Sequence, residues 1–155
     1  MADHSWAAPT VTLTTYLSTT LNSLADDTLD LGAEINNETN LAQYMDIEIH
    51  LASINLSAES NPSVVIYLIE SIDGGTTYDI AVDASSSDAA HPATDKVLTI
   101  CGFRLGTAGE VKNAIKSRLS IPPGRFKLAV LNKTGQAFAA SDNTLKYRTY
   151  KTKTV

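Results

Sequence analysis

With 155 residues, 43% of them hydrophobic and 19% charged, the chain has the length of one domain and enough apolar content to build a core without disulfides or metal. Its formal net charge of −5 conceals a split: Met1 to Asp95 holds 15 acidic residues and no Lys or Arg, whereas Lys96 to Val155 holds all 12 basic residues against only Glu110 and Asp142. No basic start precedes an apolar run, so no secretory signal is read, and no stretch reaches the roughly 18 apolar residues of a membrane-spanning helix. Cys101 is the only cysteine, which excludes an internal disulfide and a cysteine-based zinc site; inside VLTICGF it is read as a small core residue.

In chain order, residues 1–10, with Trp6 and Pro9, carry no turn signal and are read as an N-terminal arm. YMDIEIHLASI alternates, with Ile47, Ile49 and Leu51 on one face and Asp46, Glu48, His50 and Ala52 on the other, as a half-buried antiparallel strand requires. SVVIYLIESI is apolar on both faces and reads as a central strand, turning at Asp73 to Gly75 into a returning partner over Tyr78 to Val82. The Ser-rich run Ala84 to Thr94 reads as an exposed loop. KVLTICGFRL, GEVKNAIKSRLS and RFKLAVLN follow as strands, with turns at Ile121–Gly124 and Asn132–Gly135. Glu110 to Leu119 also fits helical spacing through Val111, Ala114, Ile115 and Leu119, and the strand reading is preferred. The last strand places Leu145 and Tyr147 on one face and Lys146, Arg148 and Tyr150 on the other, and residues 150–155 read as a C-terminal arm. About eight strands with regular turns indicate one all-β domain over residues 1–155, a single antiparallel β-sandwich with jelly-roll-like connections and extended terminal arms.

The best catalytic-looking group is Asp46, Glu48 and His50, which project from one strand face and offer metal-binding or acid–base chemistry. The solvated face of an amphipathic strand accounts for them more simply, and neither His4 nor His91 completes a site. Asp83 to Asp88 offers oxygen ligands but lacks the glycine and terminal Glu of a helix-loop-helix calcium loop, and GTAG at Gly106 to Gly109 lacks the lysine of a phosphate loop. No enzyme, metal or cofactor is expected. KYRTYKTK interleaves cations with tyrosines, as a single-stranded nucleic acid would use, but the basic residues are dispersed and the pI is near 5.0. The charge split is read instead as acidic strands beside basic ones, or as acidic subunit faces against basic ones. Asn37, Asn55 and Asn132 fit the N-glycosylation pattern and, with no secretory signal read, are taken as unmodified.

A set of turn and strand residues is shared with a known group. Ser71, Asp73, Gly74 and Tyr78, then Pro122, Pro123, Gly124, Phe126, Asn132, Thr134, Gly135, Ala140, Asn143, Thr144, Leu145, Tyr147 and Arg148 form a pattern that resembles small virion structural proteins of tailed bacteriophages. It spans roughly Ser63 to Lys151, and the doubled Gly74 and Gly75 depart from it. The resemblance implies a role on the virion surface or in its assembly and carries over no enzymatic site. The expected function is that of a capsid decoration or cement protein on the capsid surface, made in the host cytoplasm, with the major capsid protein as partner. The role suggests a homotrimer using Met1–Pro9 and Tyr147–Val155 as contact arms, with Trp6, Pro9, Tyr147, Arg148, Tyr150, Lys151 and Lys153 as candidate contacts. No membrane or nucleic-acid partner is expected. The alternative is a carbohydrate- or receptor-binding sandwich on a tail or capsid fibre.

Overall fold

The computed structural model describes residues 4–6, 12–57, 59–78, 98–105 and 109–154, with the backbone alone for 4–6, 98–104, 153 and 154. Within these the protein is an all-β sandwich. Its strands are β1 (His4–Trp6), β2 (Thr14–Leu17), β3 (Leu29–Leu31), β4 (Ile35–Asn36), β5 (Tyr44–Ile54), β6 (Ser63–Ser71), β7 (Leu98–Arg104), β8 (Glu110–Ser120), β9 (Arg125–Lys133), β10 (Thr144–Tyr150) and β11 (Thr152–Thr154). One sheet runs β2-β10-β5-β8 and the other β3-β9-β6-β7, with β4 also on β9 and a separate ribbon β1-β11. Counting the eight strands of the two main sheets in chain order, the sheets read 1-8-3-6 and 2-7-4-5, the order produced when one long hairpin is rolled up as a jelly roll.

That hairpin is visible in the pairing: β1 with β11, β2 with β10, β3 and β4 with β9, β5 with β8, and β6 with β7, all antiparallel. Rolling adds β10 to β5 and β9 to β6. In chain order the charge boundary at Asp95 and Lys96 falls between β6 and β7. Every paired neighbour among the described strands therefore joins one strand from the acidic part to one from the basic part. Within one subunit, strands from the acidic part thus lie beside strands from the basic part. Ion pairs cross the same divide: Arg125 with Glu34 (3.1 Å) and Glu38 (3.0 Å), Lys146 with Glu48 (3.6 Å), Arg148 with Asp46 (2.8 Å), and Lys133 with Asp27.

The alternation in β5 puts Ile47, Ile49 and Leu51 into the core between the sheets, where they meet Val64, Ile66 and Leu68 of β6 and Phe126, Leu128 and Val130 of β9. Each such side chain contributes about 1.5 to 3 kcal/mol by leaving water. β6 is central, as its two apolar faces require: Tyr67 and Ile69 join Leu29, Ala129 and Leu131 in a second buried cluster on the far face of their sheet. Because β9 and β7 occupy both sides of β6, the expected return over Tyr78 to Val82 is not its partner. Tyr78 lies outside any strand, and residues 79–82 lie outside the described residues. The reason is local: Asp73 Oδ1 accepts the N–H groups of Thr76 (3.1 Å) and Thr77 (2.8 Å), and Gly75 N donates to Ser71 Oγ (2.9 Å). These bonds close an Asx-type turn rather than a two-residue hairpin.

The Glu110–Ser120 segment is a strand, not a helix, because its neighbour β5 offers a ladder along its length. Tyr16 locks the two sheets together. Its hydroxyl accepts Leu128 N–H of β9 at 2.9 Å and donates to Ala33 O.

Asp30 of β3 is 1% exposed, and among the described residues its Oδ2 has no hydrogen-bond partner. Burial pushes this carboxyl above its ordinary range, outweighing the Thr20 hydroxyl and the Leu31 N–H that bond it. A raised folded pKa means that the folded state holds the proton more tightly, so stability is lost as pH rises through that pKa. Asp30→Asn is therefore expected to stabilise the fold by about 1 kcal/mol at pH 7, with the gain disappearing below about pH 4. Paired urea denaturation series at the two pH values check this.

Candidate functional site

The outward face of β5 brings together the residues that looked catalytic, and each is occupied by a cross-strand neighbour. Asp46 lies opposite Arg148, Glu48 opposite Lys146, and His50 opposite Thr144 on one side and Asn113 on the other. Asp46 is 6% exposed, so it is not on a solvated face. It accepts Arg118 N–H at 3.0 Å, Arg148 Nε at 2.8 Å and Tyr150 hydroxyl at 3.0 Å. Burial alone would raise its pKa. The Arg118 N–H, the Arg148 guanidinium and the Tyr150 hydroxyl outweigh that effect and hold the carboxyl below the usual carboxylate range. Burial first, and then Asp46, push the Tyr150 hydroxyl up. His50 Nδ1 lies 2.7 Å from Asn113 Oδ1. Among the described residues no group of three or more His, Cys, Asp or Glu is placed to hold a metal ion.

The candidate contact residues divide by position. Tyr147, Arg148 and Tyr150, read both as residues of the last strand and as candidate arm contacts, belong to β10, inside the first sheet. Their alternation explains this: Tyr147 packs on the core and meets Tyr16 edge-on with centroids 5.8 Å apart, while Tyr150 stacks on Tyr44 at 5.7 Å. The ends of the chain are also not two separate arms. Trp6 of β1 registers with Thr152 of β11, and Ser5 with Lys153, so they form one antiparallel ribbon.

The root of that ribbon is fixed by Gln43, a residue with no sequence signal beyond its place before β5. Gln43 N donates to Tyr150 O (3.1 Å), and its Oε1 accepts both Thr152 N (3.1 Å) and Thr152 Oγ1 (2.7 Å). Lys151 Nζ bonds Asn40 O at 2.7 Å. Pro9, His91, the Asp83–Asp88 oxygens, the Ala84–Thr94 loop and residues 106–108 of the GTAG segment lie outside the described residues, as do the side chains of Trp6, Lys153, His4 and Cys101.

Of the residues that carried the bacteriophage resemblance, Phe126, Leu145, Tyr147 and Arg148 lie in β9 and β10, while Asn132, Thr134, Gly135 and Asn143 hold turns. Asn132 is fully buried: its Nδ2 donates to Leu24 O (2.9 Å) and Gln136 O (2.8 Å), and its Oδ1 accepts Thr134 N (2.9 Å) and Thr134 Oγ1 (2.7 Å). Asn143 bridges Asn22 Oδ1 (2.9 Å), Ala139 O (2.7 Å) and Ala52 N (3.2 Å). Gly135 takes a φ of +80°, which glycine adopts without strain. The fold defines a jelly-roll sandwich whose polar positions hold turns and strands together. Comparison with protein families and with curated proteins gives no match to this chain.

Proposed function

We propose that this chain is a non-enzymatic virion structural protein, a capsid decoration or cement protein that binds and stabilises the major capsid protein lattice as a homotrimer. The observation that carries the reading is the joining of the two termini into one β1·β11 ribbon, rooted by Gln43 beside the end of β10. A rigid sandwich with a paired-strand extension can engage a neighbouring subunit through main-chain and side-chain contacts, and symmetry multiplies modest affinities into avidity. The phage-like turn residues add support. Electron microscopy of particles, at a resolution that traces this chain, tests the proposal. A place at a three-fold or quasi-three-fold capsid axis is the expected result, with the ribbon against coat protein. Infectious particles lacking the protein would overturn it, and a position on the tail would move it to an adaptor or fibre role. Deleting residues 1–10 together with 151–155 is expected to abolish capsid binding and to lower the heat resistance of particles.

One observation favours the alternative, a carbohydrate- or receptor-binding module. An open cavity of about 500 Å³ is lined by Glu70, Ile72, Asp73, Thr77 and Tyr78, offering a ring and acceptor oxygens. A glycan screen separates the two readings, since a cement protein binds none.

A further inference from the structure

We infer that two copies of the chain pair antiparallel along the outer edge of β8, about a two-fold axis at Asn113, so that their β2-β10-β5-β8 sheets join into one continuous sheet. This goes beyond the capsid reading and does not rest on it. Of the four strands that end the two main sheets, β2, β3 and β7 have 4, 3 and 7 residues, whereas β8 has 11. It bonds β5 on one side, and among the described residues no strand pairs with its other side. An open edge of that length carries a row of backbone donors and acceptors that a further strand can use.

The side chains say which strand fits. β8 turns Glu110, Lys112, Ala114 and Lys116 to the core side, in register with Ile54, Leu51, Ile49 and Ile47, and turns Asn113 and Ile115 outward, in register with His50 and Glu48. Val111 shares the outward face by alternation. The regular stretch ends at the bulge between the Ile47–Lys116 and Met45–Leu119 pairs, where Arg118 takes a φ of +62°. Two copies that keep their core faces on the same side of a joined sheet must pair symmetrically about one residue. Centred on Asn113, residues 110–116 align with their own copies: Glu110 opposes Lys116, Val111 opposes Ile115, Lys112 opposes Ala114, and Asn113 meets itself. The two-fold axis makes each unlike pair occur twice.

Glu110 and Lys116 are both exposed, so the acid–base pairs form without stripping either group from an existing buried site. Val111 (48% exposed) and Ile115 (65%) are left in water by the single copy and become cross-strand apolar neighbours in the pair. Lys112 does not obstruct the edge: it is buried, with Nζ 3.5 Å from Glu110 Oε1. Asn113 at the axis is held by His50, whose Nδ1 lies 2.7 Å from its Oδ1. Other registers fail on charge or length. Every centre from Ala114 to Arg118 opposes two cations, a centre at Lys112 sets that residue against itself, and one at Val111 overlaps only residues 110–112. Edge lysines ordinarily repel a second strand. Only the Asn113 register meets the exposed Lys116 with a carboxylate.

Cross-linking of the purified full chain tests this, because residues paired across an antiparallel ladder have Cα atoms about 4.5 to 5.5 Å apart, within disulfide reach. An Asn113→Cys protein is expected to form a disulfide-linked dimer on mild oxidation, with the parent chain, which carries Cys101 alone, as control. Val111→Cys and Ile115→Cys proteins should cross-link when mixed and far less when either is alone. Sedimentation velocity over a concentration series should show a monomer–dimer equilibrium that weakens with salt. Lys116→Glu should weaken it roughly tenfold, since two pairs turn from attraction to repulsion. All four positions are exposed, and unchanged melting curves confirm that the variants fold. A chain that stays monomeric throughout, a dimer indifferent to Lys116→Glu, an Asn113→Cys protein no more cross-linked than its parent, or Val111→Cys and Ile115→Cys proteins that cross-link as well alone as mixed would each overturn the inference.

Discussion

Asn132→Asp is expected to destabilise the protein by about 3 to 5 kcal/mol at pH 7, lowering the melting temperature by roughly 10 °C. In the native protein all four hydrogen-bonding positions of this buried amide are used, two as donor and two as acceptor. The substitution keeps the shape and the acceptor side but turns the donor side into a carboxylate oxygen facing the carbonyls of Leu24 and Gln136. The end of β9 would then lose its hold on the loop that also bonds through Asp27 N to Asn132 O at 2.9 Å. Burial and the two carbonyls would favour the protonated acid, whose hydroxyl can donate again. The deficit should therefore shrink as pH falls and the carboxyl takes up its proton. Urea unfolding at several pH values measures both features, and an Asn132→Asp protein as stable as its parent at pH 7 would show that the amide's donors are dispensable.

The second large effect is at Asp46, with the opposite pH dependence. Asp46→Asn removes the charge that Arg148 and Tyr150 share and turns an N–H group toward them; about 2 kcal/mol of stability is expected to be lost at pH 7, or roughly 4 to 8 °C in melting temperature. Arg148 is 32% exposed, so solvent screens part of the ion pair, and the nearly buried carboxylate with its three donors accounts for the rest. The folded pKa of Asp46 lies below its unfolded value. Its contribution is complete above the unfolded value near 4 and is lost as pH falls through the folded one. Native and variant stabilities should accordingly converge in acid. A gap that stays constant from pH 7 to pH 2 would mean that packing, not charge, is what Asp46 supplies.

These two residues also mark how far the sequence could be read. Asn132 was legible as part of a turn, since an Asn-Lys-Thr-Gly run between apolar segments is a local signal; that its amide reaches Leu24, distant in the chain, was not. Asp46 was legible as an outward residue of an alternating strand. Its burial follows from Arg148, Tyr150 and the bulge at Arg118, and each of those depends on which strand lies beside β5. Gln43 carried no signal because its role exists only where β10 passes into β11. The short strands β2, β3 and β4 escaped for a related reason: with two to four residues each, they are too short to show a period and are held by pairing with β9 and β10.

The sequence by itself determined the all-β class, the inward faces of β5 and β10, the central position of β6 and the segregation of charge, since side-chain alternation and composition are written locally. Only the tertiary structure decided that the chain rolls up as one long hairpin, so that each described strand from the acidic part pairs with one from the basic part. It also joined the two ends into a ribbon and gave the supposed catalytic face its partners. Strand pairing is a contact between residues far apart in sequence, and its register is set by the packing of whole sheets, which no local pattern contains.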